Sequence, residues 1–213
     1  MGPAAETPRP DSEDTRRLLD RAADGDREAV DELLASHRPA VRAFVELHLD
    51  PAVRARLDPS DVTQEALAEV ARRLGEFRVR RPMPFHLWAR KTAYDRLLNA
   101  RRDHRAARRD VAREAAGPDA SSLALARTIL APGPSPSEAA AAAELAERVA
   151  AAVAELPEAD REVLLLRNID ELPYEEVGLL LGVEPAAARK RYGRALIRLQ
   201  QALAERGIVG NES

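Results

Sequence analysis

Apolar side chains recur at every third or fourth position along most of the chain, which is the period of an amphipathic α-helix. The pattern predicts two helical segments separated by a turn at 24–26. It then predicts a helix over 61–74, with Gly75 as its stop, and a long helix over 85–109 after a loop over 77–84. No segment shows the alternation of a β-strand, so the pattern indicates an all-α protein.

Helix-breaking residues interrupt this pattern in the middle of the chain. Proline, glycine and serine cluster at 117–119 and 131–137, which is typical of a linker. The apolar piece 123–130 between the two clusters is too short to form a core, so it either stays mobile or docks against one domain. We expect the linker to be mobile in the isolated protein.

The pattern as a whole predicts two small helical domains joined by a flexible linker, which the 213 residues can accommodate. Each domain is large enough for a modest core. The predicted segments are a disordered N-terminal tail (1–12), a first domain (13–110), the linker (111–137), a second domain (138–205) and a C-terminal tail (206–213).

The second domain has the spacing of a helix-turn-helix. A short helix opened by Pro173 ends at Gly182, and a three-residue turn leads into a longer helix from Pro185. Opposite its apolar stripe, this longer helix carries cations and no acid, as a helix that enters a DNA groove requires. The alternative is an ordinary helix pair with a solvated basic face. The cations are Arg189, Lys190, Arg191, Arg194 and Arg198.

A second basic segment contains most of the aromatic residues. Phe77, Phe85, Trp88 and Tyr94 are four of only seven aromatic residues, and they are interleaved with arginine and lysine. Aromatic rings can stack on unpaired bases while cations hold the backbone, so this segment is a candidate single-strand binding surface. The alternative is that Phe85 and Trp88, three positions apart, are core anchors.

The net charge of −3 conceals two basic segments. Residues 70–109 carry 13 basic and 3 acidic side chains, and residues 189–213 carry 6 and 2, while the intervening and preceding segments are acidic. A single charged segment is usually a solvated face. Two such segments flanked by acidic sequence indicate two contact points on one polyanion.

Composition excludes several classes of chemistry. Without cysteine the chain has no disulfide, thiol nucleophile or Cys-ligated zinc, and its four histidines lack metal-binding spacing. We expect no cofactor, no metal, no small-molecule substrate and no catalysis. No apolar leader or membrane-spanning run is apparent, so we expect a cytoplasmic protein without a membrane partner.

The residues also carry a family resemblance. Segments 61–67, 74–78 and 85–93 resemble region 2 of the bacterial sigma-70 family, in its extracytoplasmic-function (ECF) subgroup. Segment 156–167, together with the basic helix that follows, is similar to region 4 of the same subgroup. The two motifs occur in the family's order and cover most of the chain.

The resemblance implies a sigma factor, which binds RNA polymerase core enzyme, directs it to specific promoters and assists melting of the −10 element. It also implies that the helix over 61–74 binds a coiled coil of the largest polymerase subunit. An anti-sigma factor, which often holds members of the subgroup, is a further candidate partner. The implied polymerase contacts are Asp61, Gln64, Glu65 and Glu69.

The resemblance divides the DNA contacts between the two domains. The −10 strand is expected at the loop over 77–84 and the helix after it, where Asp95 stands in place of the Asn of many relatives. The −35 duplex is expected at the basic helix, where Gly193 replaces a larger residue of some relatives. The candidates for the −10 strand are Phe77, Arg78, Arg80, Arg81, Trp88, Lys91 and Asp95. Those for the −35 element are Glu184, Ala186, Arg189, Lys190, Arg191, Gly193, Arg194 and Arg198.

Two other functions are compatible with parts of the pattern. A stand-alone helix-turn-helix regulator would use the basic helix, but it has no need of a single-strand surface. A helical adaptor or small enzyme would use the acidic segments as interaction faces, but it accounts for neither motif.

Overall fold

The computed structural model describes residues 8–49, 51–54, 57–108, 120–130 and 139–208. These residues form α-helices joined by turns, and no strand occurs among them, so the all-α prediction is confirmed. The chain folds as two compact units, unit 1 (Met1–Arg113) and unit 2 (Glu114–Ser213).

The described helices of unit 1 are α1 (Glu13–Ala23), α2 (Arg27–His48), α3 (Pro51–Arg54), α4 (Pro59–Arg80) and α5 (Phe85–Arg108). Helices α2, α4 and α5 pack against one another, α1 lies against α2 and α4, and α3 lies against α5. Their apolar stripes meet in a core that includes Leu33, Phe44, Val70 and Leu97. The amphipathic periodicity therefore identified the packed faces of this unit.

Side-chain oxygens begin three of these helices. The Ser12 hydroxyl accepts a hydrogen bond from the Thr15 amide at 3.2 Å, and the Asp26 carboxylate accepts one from the Ala29 amide at 3.1 Å. Asp58 caps α4 in the same way. These acceptors satisfy amides that a helix N-terminus leaves without an intrahelical partner.

Helix α4 is longer than the sequence predicts. It continues past Gly75 to Arg80, so much of the predicted loop over 77–84 is helical. The apolar stripe continues through Leu74 to the buried Phe77, and this packing outweighs the roughly 1 kcal/mol that a helical glycine costs. The helix ends where Arg81 adopts a left-handed conformation (φ 36°).

The start of α5 is capped from a distant part of the chain. Asp11 accepts hydrogen bonds from the amides of Phe85 (2.8 Å) and His86 (3.3 Å), and its Oδ1 lies 3.3 Å from the His86 ring. Burial raises the pKa of this carboxyl, but these hydrogen bonds outweigh burial, and the pKa lies below its ordinary value of 3.8. The predicted tail is thus tied to α5 at Asp11, whereas residues 1–7 lie outside the described residues.

The described helices of unit 2 are α6 (Ala120–Ile129), α7 (Ala139–Glu155), α8 (Glu158–Asn168), α9 (Tyr174–Leu181) and α10 (Pro185–Glu205). Helix α10 packs against α7, α8 and α9. The centre of the unit is filled by fully buried leucines and valines, among them Val163, Leu166, Leu172 and Leu180.

Helix α6 falls within the segment predicted as the linker. It packs on α7 and α8, and Ser122, Leu125 and Ala126 are completely buried. Helix α7 contributes buried alanines to this unit, among them Ala150. Of the two alternatives for the apolar piece, the structure therefore has the docked one. The flanking breaker clusters lie outside the described residues.

The turn between α9 and α10 requires two glycines. Gly182 ends α9 in a left-handed conformation (φ 66°), which glycine adopts without a steric penalty. Gly178 lies where the chain folds back, and a Cβ there would come within 2.6 Å of the Val183 carbonyl oxygen. The predicted helix-turn-helix is present, and Gly178 permits the close approach of its two helices.

Replacing Gly178 with alanine should destabilise unit 2 by about 1–3 kcal/mol, because the new methyl group overlaps backbone that cannot move independently. Gly193→Ala is the matched control, since a Cβ there meets nothing within 4 Å. We expect this control to raise stability by up to about 1 kcal/mol. Hydrogen exchange of the α9 and α10 amides measures both changes. Equal hydrogen-exchange protection of α9 and α10 in the two variants would contradict the close approach at Gly178.

Candidate nucleic-acid and polymerase interfaces

Helix α10 presents a basic face outward because its opposite face is buried. Ala188, Ala195, Leu199 and Leu203 are the buried residues of the helix and face α7, α8 and α9. The predicted contact residues Glu184, Ala186, Arg189, Lys190, Gly193 and Arg194 are exposed, and Arg191 is half-buried. The structure therefore brings most of the predicted −35 candidates together on one surface.

One of these cations is held by an aromatic side chain that the sequence pattern did not single out. The Arg189 guanidinium lies 4.9 Å from the centre of the Tyr174 ring, and Arg167 lies 4.3 Å from it. The Tyr192 ring meets Tyr174 edge to face at 6.0 Å, and its hydroxyl lies 3.1 Å from Asn168 Oδ1. The scarcity of aromatic residues, and the place of Tyr174 directly after Pro173, were the available signals.

Arg198, a predicted DNA contact whose side chain is half exposed, has an ion-pair partner within unit 2. Its guanidinium forms an ion pair with Asp160, whose side chain is only 6% exposed. Asp160 lies in the first turn of α8, against which α10 packs. A buried carboxylate needs a cationic partner, so Arg198 stabilises the α8–α10 contact.

Phe77 and Trp88 are core residues of unit 1. Their rings stack at 4.5 Å, Phe85 packs against both, and their exposed fractions are 3% and 7%. The prediction that they stack on unpaired bases is therefore wrong in this conformation, and the core-anchor alternative holds. The physical reason is that aromatic rings bury a large apolar area, and a small core with few such residues is more stable when they are buried.

The polar −10 candidates differ in how they are held. Arg78 is half-buried and donates a hydrogen bond to the carbonyl of Ala22 at 3.4 Å, so it caps the end of α1. Arg80 and Arg81 are exposed, and Arg81 lies 3.7 Å from Asp20. Half-buried Lys91 is paired with exposed Asp95, one turn along α5.

The first half of α4 displays the predicted polymerase contacts. Asp61, Gln64 and Glu65 are exposed on one side of the helix. Glu65 lies 3.6 Å from Arg96 of α5, with 63% of its side chain exposed, a pair that solvent screens. The three residues therefore form a polar surface open to a partner.

Glu69 is paired along the surface of its own helix, α4. Arg72 donates hydrogen bonds to both of its carboxylate oxygens, at 2.9 and 2.5 Å, and Arg73 lies 3.9 Å away. The Arg72 hydrogen bond is the main cause that lowers the pKa of Glu69 below its ordinary value. Glu69 is thus engaged by two closely placed hydrogen bonds, whereas Glu65 has the solvent-exposed pair with Arg96.

The described residues contain no cluster of three histidine or acidic side chains that could hold a metal ion. No helix among them has the length and apolar character needed to cross a membrane.

Comparison with known proteins gives two family matches, one in each unit. The sigma-70 region 2 family matches residues 33–107, and sigma-70 region 4 matches residues 146–199. The chain is 30% identical over 191 residues to "RNA polymerase sigma factor CarQ" of Myxococcus xanthus, covering 88% of this chain and 96% of that protein. It is also 30% identical over 191 residues to "ECF RNA polymerase sigma factor SigD" of Mycobacterium tuberculosis, covering 89% and 84%.

Solved structures agree with this fold. CnrH, in complex with the cytosolic domain of CnrY, is 24% identical and matches with a TM-score of 0.57 over 91% of this chain and 99% of that one. The sigma factor RpoE of Bartonella quintana, in complex with the anti-sigma factor NepR, is 17% identical and matches with a TM-score of 0.53 over 82% and 96%. At these identities the matches establish the helical fold alone.

The chain belongs to the ECF subgroup of the sigma-70 family. It is a transcription initiation factor that binds RNA polymerase and directs it to promoters. Sigma factors are generally not catalysts themselves. A stand-alone regulator is not favoured, because region 2 of the family matches alongside region 4.

Replacing Trp88 with alanine tests its assignment to the core. Loss of a large buried ring should lower the free energy of unfolding of unit 1 by about 3–5 kcal/mol, measured by urea denaturation followed by circular dichroism. Arg80→Ala, in the same basic segment but exposed, should stay within about 0.5 kcal/mol of the parent protein. Unchanged stability of Trp88→Ala would mean that its ring is not a core element.

Proposed function

We propose that the two units divide the work of a sigma factor. Helix α10 of unit 2 reads the −35 duplex, the first half of α4 binds core polymerase, and the exposed junction of α4 and α5 contacts the −10 strand. The observation that carries this proposal is the outward basic face of α10 within a helix-turn-helix. A helix of this kind enters the major groove with its N-terminal part against the base edges.

The −35 contacts come from the first two turns and the middle of α10. Arg189, Lys190 and Arg194 are exposed cations there, and arginine can donate two hydrogen bonds to guanine O6 and N7. Glu184 and Ala186 begin the same surface, and Arg191 lies at its edge. Tyr174 limits the conformations of Arg189 through the 4.9 Å cation–π contact, which lowers the entropy that Arg189 loses on binding.

The −10 contacts come from exposed residues around the buried aromatic cluster. Arg80 and Arg81, at the end of α4, can hold the phosphates of a displaced strand. Lys91 and Asp95, on the neighbouring helix α5, supply further polar contacts. Phe77 and Trp88 support this surface from beneath, because their stacked rings fix the end of α4 against the start of α5. Assistance of −10 melting then depends on holding the separated strand.

The polymerase contact uses the acidic surface of α4. Asp61, Gln64 and Glu65 are exposed and would face a basic partner, while Glu69 has an internal role through Arg72. Charge complementarity with a basic surface of the partner would raise the rate of association and fix the register of the complex.

In this assignment the chain itself carries out no catalysis, and the polymerase performs the chemistry. A protein that works with RNA polymerase on promoter DNA acts in the bacterial cytoplasm. An anti-sigma factor is a candidate regulator, since RpoE of Bartonella quintana, which shares the fold, was solved in complex with the anti-sigma factor NepR.

Replacing Arg194 with alanine should relax base preference at one −35 position, at a cost of about 1–3 kcal/mol if the contact is bidentate. Selection of holoenzyme-bound promoters from a library randomised in both elements measures this. Transcription from a pre-melted template should survive. A shift in preference at the −10 element would contradict the division of labour.

Arg198→Ala is the matched control for Arg194→Ala. It removes a cation from the same helix, but its partner Asp160 is then left buried without it, so unit 2 should lose thermal stability. We expect Arg194→Ala to change base preference with stability retained, and Arg198→Ala to lower stability without changing the preferred base.

Reversing the charge of Glu65 to lysine should weaken association with core polymerase, because a like charge would then face the basic partner. Titration of the labelled protein against core enzyme measures the affinity. Asp31→Lys, an equivalent reversal at an exposed position of α2, should bind as the parent protein does. Equal affinity of the Glu65→Lys variant and the parent would remove α4 from the polymerase interface.

Footprinting with and without core enzyme tests the function as a whole. A sigma factor of this kind should protect both promoter elements only as part of the holoenzyme. Specific protection by the isolated chain, unaffected by core enzyme, would favour the stand-alone regulator.

A further inference from the structure

The exposed face of α10 has a notch where a side chain is missing. Gly193 forms its floor, Lys190 and Arg194 lie on either side, and Ala187 and Ile197 close it along the helix. A Cβ at Gly193 would meet nothing within 4 Å, so the notch is open to whatever approaches this face. The depression is apolar at its floor and ends, and cationic at its sides.

Two features of the notch lower the stability of the protein on its own. A glycine in the middle of α10 costs about 1 kcal/mol relative to alanine. Ile197 has 58% of its surface exposed, on the same face as the cations, although the apolar stripe of α10 packs on the other side. Neither residue contributes to the packing of unit 2, so both are suited to a contact on the outer face.

The cations restrict the occupant of the notch to an anionic ligand that also offers a small apolar group. Duplex DNA has both, because Lys190 and Arg194 can bind phosphates or base acceptors while one base carries a methyl group. Among the four bases, only thymine presents a methyl group in the major groove, at C5. A floor without a side chain lets the helix backbone approach that methyl closely.

We propose that the Gly193 notch receives the C5 methyl group of a thymine in the −35 element, with Ala187 and Ile197 as its apolar contacts. This inference rests on the proposed function of α10 as the −35 reader and adds the identity of one base. Lys190 and Arg194 contact the neighbouring positions. Gly193 then determines specificity because the absence of a side chain leaves room for the methyl group.

The test removes only the methyl group. After the preferred −35 sequence has been selected with the holoenzyme, each of its thymines is replaced in turn by deoxyuridine, which keeps every hydrogen-bonding group. We expect one position at which holoenzyme affinity falls about fourfold, the effect of one methyl-sized group, with the other thymines insensitive. Competition binding of the full-length protein with core enzyme measures these ratios.

Variants of the notch identify the residue responsible. Gly193→Leu fills the notch and should make thymine and deoxyuridine bind equally at the sensitive position. Ile197→Ala should reduce the fourfold ratio at that position and nowhere else. Circular dichroism and hydrogen exchange of α10 confirm that each variant is folded, and Gly193→Ala, with the smallest added group, provides a second variant if leucine disturbs the helix.

The outcomes separate this inference from the function on which it rests. Absence of any selected or protected −35 element would contradict the proposed function of α10. A selected −35 element without a methyl-sensitive thymine would overturn the notch assignment and leave that function intact. Methyl sensitivity that persists unchanged in both Gly193→Leu and Gly193→Ala would also overturn it, because the methyl would then be read elsewhere.

Discussion

The direction in which the cations of α10 face depends on the burial of its opposite side. Ala188, Ala195, Leu199 and Leu203 fix the rotation of the helix about its axis, and the close approach at Gly178 fixes its distance from α9. Repulsion among neighbouring cations opposes this arrangement, and burial of the apolar stripe outweighs it. The charged surface is therefore a consequence of packing, and any change that rotates α10 would alter which side chains it displays.

In unit 1, aromatic residues form the internal support and polar residues form the exposed surface. Its aromatic cluster is internal, and the polar residues around it remain at the surface. Stacking of Phe77 on Trp88 joins two helices that are separated in sequence by the turn at Arg81. The surface proposed for the −10 strand thus lies over a packed core, which limits the backbone entropy lost when that surface binds a partner.

The sequence pattern predicted the features that depend on local spacing. These include the glycine turn before α10 and the orientation of its basic face. It could not predict features decided by contacts across the fold. Gly75 stops no helix because Phe77 is buried beyond it, and Arg198 turns to Asp160 because α8 lies beside α10. Asp11 likewise caps a helix that begins 74 positions later in the sequence.

The location of the aromatic residues also gives the protein an internal spectroscopic label. The single tryptophan lies in the core of unit 1, whereas Tyr174 and Tyr192 lie against each other in unit 2. Light absorbed only by indole therefore excites unit 1 alone. Emission from Trp88 can follow the unfolding of one unit within the intact chain, with no dye, truncation or added residue.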